Sequence, residues 1–342
     1  MQSSLKGNLT LVFLVILCLL ACCGCGTLNQ SGSPDVLRIG ISTSIDDARG
    51  QGALAFAEEV MEKTDNRITV TVTQDEELTG EIGLVNNLAS GKGKYDIIIT
   101  GASNFSGFAP MMSISAMPYL FDDYDTAWAF MDSEIEAEIE EALIPHNIRI
   151  LSHYCSGFRC LTNSVRPVNE PKDLNGLVIR TPDLDLFLST MSAMGADARP
   201  LSFSELNSSL KKNAYDGQEN PIPLIYNNKL YETQKYLTVS NHIYSGLCFA
   251  ISESVWQRLS SEDQAIIQNA ADNSAAYERQ INISNTEEYL EFFREQGIEV
   301  SEPDLTPFRE ATRSVIDKKS SRYGEYWDRT LEWLATVNRH SH

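Results

Sequence analysis

VLRIGISTSIDDARGQGALAFAEEVMEKTDNRITVTVT, residues 36–73, reads as strand, helix, strand. The run 36–42 is aliphatic and ends in small polar residues. Across 52–63, Leu54, Ala57, Val60 and Met61 recur at helical spacing, and 67–73 alternates like a strand with one buried face. Outward from this unit, 81–88 repeats the helical spacing and closes at Ser90-Gly91, and 95–100 (YDIIIT) is a continuous apolar strand. Strand, helix, strand, helix, strand predicts an α/β fold with a mixed, mostly parallel sheet flanked by helices. Ligands of such sheets bind beyond the carboxyl ends of the strands, which puts 42–44 and 101–104 at the mouth of a cleft.

Further along, 105–121 is apolar and rich in Met and Pro, and 124–143 is helical with an acidic surplus that reads as a solvated outer face. A strand follows at 149–155. From Gly157 a second α/β pattern begins, with strands predicted at 158–162, 177–181 and 198–201 and a helix at 184–194. The strand Leu177-Val178-Ile179-Arg180-Thr181 ends before Pro182, so Arg180 stands at a strand's carboxyl end, beside the expected cleft. In 199–237, Ser202 and Glu205 form a capping-box pair for a helix that stops near Asp216-Gly217. Pro221 and Pro223 open a second helix at 224–235, leaving Gln218-Glu219-Asn220 as a crowded polar turn between two helices. A strand is expected at 242–252. The helical pattern over 260–296 exceeds an ordinary globular helix and suits a brace, broken or kinked, lying across two domains. A short strand at 298–301 and a helical region at 308–333 complete the body.

At 342 residues the chain can bury a large core, and its length suggests two domains. The formal charge of −20 argues against nucleic acid and against a polybasic hold on anionic lipid. An acidic protein that binds an anion needs local positive charge, which draws attention to its arginines.

Lys6 and the apolar run 9–21 have the make-up of an export signal, too short for a comfortable membrane span. Leu19-Leu20-Ala21-Cys22 resembles a lipoprotein processing site, with Cys22 acylated. Residues 1–21 are therefore expected to leave as signal peptide, and 22–34 to form a tether on the outer face of the cytoplasmic membrane. Of seven cysteines, Cys155, Cys160 and Cys248 belong to the folded body. They read as small buried hydrophobes, although a Cys155–Cys160 bridge is conceivable in an oxidising compartment.

Arg159, Arg180 and the Gln218-Glu219-Asn220 segment converge on one chemistry. An arginine fork matches a carboxylate bidentately, each charge-assisted bond contributing about 1.5–3 kcal/mol. The segments GFRCLTNSVRPV (157–168), DLNGLVIRTP (173–182), PLSFSELNSSLKKNAYDGQENP (200–221) and KLYETQKYLTVSNHIY (229–244) closely resemble solute-binding proteins of tripartite ATP-independent periplasmic (TRAP) transporters, the DctP-like family. The similarity extends from about residue 36 to the C-terminal helices.

That resemblance implies a two-domain periplasmic-binding-protein fold, hinged around a cleft and braced by a long helix. The expected division is 35–156 with 246–285, and 157–245 with 286–342. It also implies a receptor that binds a small organic acid and delivers it to a membrane permease, with presentation of the ligand to a membrane sensor protein as the alternative; a monomer is expected. By the same resemblance, Arg180 matches the arginine that salt-bridges the ligand carboxylate, Arg159 a second arginine aimed at it, Asn220 a side chain bonding it, and Phe203 a residue packing on the ligand. Asp183 and Glu81, after Leu78-Thr79-Gly80, are candidates for hydroxyl groups. Sialic-acid-binding members carry glutamate at the position aligned with Gly101 and asparagine at that of Ser42. A smaller acid, a hexuronate or keto-sugar acid, is therefore expected ahead of sialate or a C4-dicarboxylate. Arg199, beside Pro200, is expected in an exposed ion pair. No HExxH, GxSxG or Walker loop occurs, and His146, His153 and His242 have no evident nucleophile partner. No catalysis, cofactor or metal is expected, and His242 reads as a structural histidine.

Overall fold

Two strands show why the chain folds around one sheet. In β3 (Ile97–Gly101), Ile97 and Ile99 enter one apolar layer while Ile98 enters the other. In β9 (Tyr244–Ser252), Leu247, Phe249 and Ile251 face the first layer, and Cys248 and Ala250 the second. Strands buried on both faces read as continuous apolar runs, and helices must then cover both sides. The computed structural model describes residues 35–75 and 80–340. The expected signal 1–21, the tether 22–34 with Cys22, and Leu78-Thr79 lie outside the described residues.

Among the described residues ten strands form a branched sheet. These also include β1 (Asp35–Ile41), β2 (Ile68–Gln74), β4 (Ile148–Asn163), β5 (Val178–Thr181), β6 (Asp197–Pro200), β7 (Gly217–Pro221), β8 (Tyr236–Thr238) and β10 (Glu299–Ser301). The order is β2-β1-β3-β9-β4-β7-β5-β6, with β8 joining β10 to β4. β1 runs parallel to β3, and β5 parallel to both β6 and β7, while β9 is antiparallel to β3 and β4. The architecture is the mixed α/β one expected.

β4 serves both parts of the sheet. It pairs with β9 from Ile148 to Phe158, shifts register twice, and pairs its far end with β7 and β8. The second shift falls at Gly157, whose φ of +109° lies where side chains are strained. A Cβ there would stand 3.2 Å from Tyr124 Oη, so this bend needs glycine. The long helix Ser261–Glu295 is unbroken and packs against helix Ala48–Lys63, β4, helix Ile222–Asn227 and β10, touching both parts of the sheet. Its first turn is capped by Ser260, which accepts from Asp263 N–H. No helix among the described residues is long and apolar enough to cross a membrane.

Three expectations need correction. The segment 217–221 is a strand with every residue buried, not a turn: β4 and β5 hydrogen-bond on its two sides and override the poor strand propensity of Gly, Asn and Pro. Its flanking helices are shorter than predicted, Phe203–Lys211 and Ile222–Asn227, and Ser202 Oγ bonds the Glu205 carboxylate rather than a helix N–H. The acidic stretch 124–143 forms two helices, Tyr124–Met131 and Glu134–Glu141, and is not wholly solvated, because Glu136 is buried. Cys155, Cys160 and Cys248, by contrast, are free and buried, the small hydrophobes expected, and the alternative Cys155–Cys160 bridge does not form.

Candidate functional site

A cavity of about 570 Å³ opens at the carboxyl ends of β3 and β5. The residues singled out from the sequence lie on its wall: Arg159, Arg180, Asn220, Phe203, Asp183 and Glu81. Three arginines reach it while almost fully buried, at 5% exposure for Arg49, 4% for Arg159 and 2% for Arg180. Buried charges need partners, so the pairing of these three guanidinium groups decides what the cavity accepts.

Arg159 is paired. Its Nε and Nη2 donate to the Glu219 carboxylate in a fork, and Nη2 also donates to the Glu219 carbonyl and to Asn220 Oδ1. Nη1 is left without a protein partner among the described residues. Glu219 additionally accepts from Thr181 Oγ1 at 2.9 Å and lies 3.3 Å from His242 Nε2. Burial alone would raise the Glu219 carboxyl, but the Arg159 charge together with hydrogen bonds from His242 and Arg159 outweighs it and brings the pKa down to about 2. His242 also meets Ser240 through Nδ1, which makes it the structural histidine expected. The bond from Arg159 fixes the Asn220 amide with Oδ1 inward, and Nδ2 donates to Gln218 Oε1 at 2.5 Å. One amide N–H of Asn220 remains for a ligand.

Arg49 is paired too. Nη1 donates to Glu81 Oε1 at 2.8 Å and to Ser42 Oγ at 3.2 Å, while Ser42 Oγ donates to the same Glu81 oxygen at 2.7 Å. Asn104 Nδ2 donates to Glu81 Oε2 at 2.8 Å. Burial raises the Glu81 carboxyl, and the Arg49 charge with hydrogen bonds from Arg49, Ser42 and Asn104 more than reverses this, to about 2. Glu81 is thus the centre of a polar end wall rather than a lone acceptor. Gly101 adjoins it, and a Cβ at 101 would stand 3.1 Å from Asn104 Nδ2.

Arg180 differs. Nε and Nη2 donate to the Leu201 carbonyl at 2.9 and 2.5 Å, and no carboxylate lies within ion-pair distance among the described residues. Burial, with Arg159 adding to it, lowers its pKa to about 10 although Glu219 pulls the other way, so it stays charged at neutral pH. Phe203 is half-buried beside it on the cavity wall, and Asp183 is exposed at the rim. Arg199 pairs with Asp197 at the surface, as expected.

Arg49 was missed from sequence. The helix was expected to begin at Gly52, which left Arg49 in a loop, whereas Asp47 caps it and starts it at Ala48. Asp47 before an alanine-rich helical run is a cap signal that would have placed Arg49 in the first turn, by the cleft. Asn104 had no local signal beyond its place after β3.

The model of the family described as DctP, bacterial extracellular solute-binding protein, family 7, matches residues 39–322. A solute-binding protein of Roseobacter denitrificans is 33% identical over 281 residues, 82% of this chain and 85% of that protein. Its solved structure, with bound L-galactonate, superposes with a TM-score of 0.77 at 32% identity, covering 83% of this chain and 94% of that one. The sialic acid-binding periplasmic protein SiaP of Vibrio cholerae is 31% identical over 303 residues, 87% of this chain and 94% of that protein. The sugar acid binding protein DctPAm of Advenella mimigardefordensis, solved with galactonate, gives a TM-score of 0.82 at 28% identity, covering 88% and 97%.

Proposed function

The chain belongs to the DctP family of bacterial extracellular solute-binding proteins, and from that premise we propose that it captures a sugar acid bearing one carboxylate and delivers it to a TRAP permease. One observation carries the reading. Of three buried arginines at the cavity, two have carboxylate partners and Arg180 has none. Among the buried groups, pairing Arg49 with Glu81 and Arg159 with Glu219 leaves one surplus positive charge, which one ligand carboxylate neutralises; Asp183 and Glu205 on the wall are exposed to solvent. Arg180 takes that carboxylate through its free Nη1, with Arg159 Nη1 and the Asn220 amide as further donors. The hydroxyl groups then face Glu81, Ser42 and Asn104, which both accept and donate, while Phe203 covers the carbon chain.

A C4-dicarboxylate would turn its second charge toward Glu81 and is disfavoured. Sialate meets Gly101 and Ser42, where the sialate-binding pattern has glutamate and asparagine. The relatives' galactonate and L-galactonate support an aldonate or uronate. Ligand contacts to both parts of the sheet favour a closed form, hinged between 35–156 with 246–285 and 157–245 with 286–342. The protein acts as a receptor rather than a catalyst, exported and held to the membrane by a lipid on Cys22. A thermal-shift screen of aldonates, uronates, keto-sugar acids, sialate and C4-dicarboxylates tests the reading. A sugar monocarboxylate should raise the melting temperature most, and a dicarboxylate that outperforms every monocarboxylate would refute it.

A further inference from the structure

On the other side of β4 and β9 a second cavity, of about 470 Å³, opens among Asp132, Glu140, Ser152, His153 and Arg279. Glu140 and His153 on its wall and Cys248, fully buried behind them, bring one ligand-type atom each within 4.8 Å of one another. They come from three elements, helix Glu134–Glu141, β4 and β9. His153 Nε2 lies 2.6 Å from Glu140 Oε1, and its other ring nitrogen faces Asp132 Oδ1 at 3.4 Å. That is how metal-binding histidines are oriented, one nitrogen toward the ion and the other held by a carboxylate. A second observation is independent of these three. Glu136, one helical turn before Glu140, is 1% exposed, and neither of its carboxylate oxygens has a hydrogen-bond partner. It is felt electrostatically by both His153 and Cys248, so it lies next to the three. A buried carboxylate with no donor calls for a proton or a cation.

We propose that Glu140, His153 and Cys248 bind a single borderline divalent cation of the Zn²⁺ class, with water in the fourth position and Glu136 beside it. The donor set selects the class: a thiol and an imidazole beside carboxylates suit Zn²⁺ or Co²⁺ and not the all-oxygen shells of Ca²⁺ or Mg²⁺. Binding displaces the Cys248 thiol proton and the proton shared by His153 and Glu140, and both pass to solvent through the cavity. The thiolate and Glu140 balance the dication, and Glu136 keeps its proton as a hydrogen-bond donor beside the ion. No local spacing motif marks the site, since its ligands are far apart in sequence. The ion ties helix Glu134–Glu141 to β9, whose Ser245 and Leu247 line the acid-binding cavity on the opposite face, and so stiffens the sheet behind the cleft.

The test uses the full chain with His340→Ala and His342→Ala, because those two histidines invite stray metal. After chelation, one equivalent of Co²⁺ should give a near-ultraviolet thiolate charge-transfer band that Zn²⁺ displaces. Cys248→Ser should abolish the band, which also separates it from the N-terminal cysteines, and Asp132→Asn should weaken binding about 10–100-fold. A parent-like far-ultraviolet circular dichroism spectrum and a cooperative melt show the variants folded. If Cys248→Ser does not fold, the parent chain decides: one equivalent of Zn²⁺ must raise its melting temperature and protect Cys248 from alkylation. No band, a band that survives in Cys248→Ser, or Zn²⁺ that neither stabilises nor protects overturns the proposal and leaves a protonated, hydrogen-bonded cluster.

Discussion

Arg159 and Arg180 flank the same strand and differ in one respect. Arg159 on β4 stands opposite Pro221 of β7, and Arg180 on β5 stands beside Gln218 of β7, so both reach one cavity. Only Arg159 has a carboxylate, Glu219. On the proposed reading, two residues that look alike in sequence therefore divide the work: Arg159 supports the fold and lends Nη1 to the site, and Arg180 holds the ligand. Their variants should separate accordingly.

Glu219→Gln leaves Arg159 buried without its counter-charge. Breaking a buried pair from one side costs about 3–5 kcal/mol. Urea unfolding should show a loss of that order. Replacing both partners with apolar residues, Arg159→Met with Glu219→Leu, should recover much of it, because the cost lies in the unpaired charge.

Acid should unfold the protein through these same carboxylates. Glu219 and Glu81 are held near 2 in the fold, below the ordinary value of 4.5. A carboxyl lowered by folding contributes its full stability above its unfolded pKa and loses it as pH falls toward the folded one. The melting temperature should drop from about pH 5 to pH 2. Glu219→Gln should flatten that slope more than Glu81→Gln, since Glu219 is fully buried and the Glu81 side chain is 26% exposed.

Glu278 works in the opposite sense. Burial raises its carboxyl to about 8, although it accepts from Cys155 N–H at 2.8 Å. The fold keeps a proton that the unfolded chain releases above 4.5, so stability falls as pH rises from there toward 8. Glu278→Gln should melt above the parent at pH 9 and close to it at pH 5, as calorimetric scans at both pH values would record.

Glu81→Gln removes the negative charge from the polar end wall and leaves Arg49 unpaired. The cavity then carries two surplus positive charges. Affinity for a C4-dicarboxylate relative to an aldonate should rise about tenfold or more, the effect of some 1.4 kcal/mol. An unchanged ratio in competitive titrations would show that Glu81 does not read ligand charge.

What the sequence disclosed follows from what is local. The strands of 36–100 were legible because β1, β2 and β3 carry their burial pattern within a few residues, and the long helix because its Ser260 cap and spacing are continuous. β7 was not legible. Gly-Gln-Glu-Asn-Pro has no strand signal of its own, and only pairing with β4 and β5 makes it one. The same limit applies to Glu219, whose buried partner lies 60 residues away, and to Arg49, whose partner Glu81 is 32 residues away. Arg180 was found because a strand ending in Arg-Thr-Pro points to a cleft, a local argument that the family resemblance strengthened.

Arg180 carries the central claim, and isothermal titration calorimetry with galactonate tests it most directly. Two charge-assisted bonds of about 1.5–3 kcal/mol each are at stake, so Arg180→Ala should bind at least about 100-fold more weakly. Arg180→Lys should recover only part of this, because an ammonium lacks the planar group that holds the Leu201 carbonyl on one edge and presents Nη1 to the carboxylate on the other. The urea midpoint of Arg180→Ala should not fall, since the substitution removes an unpaired buried charge. Parent-like affinity in Arg180→Ala, for whichever acid the parent binds best, would contradict the account.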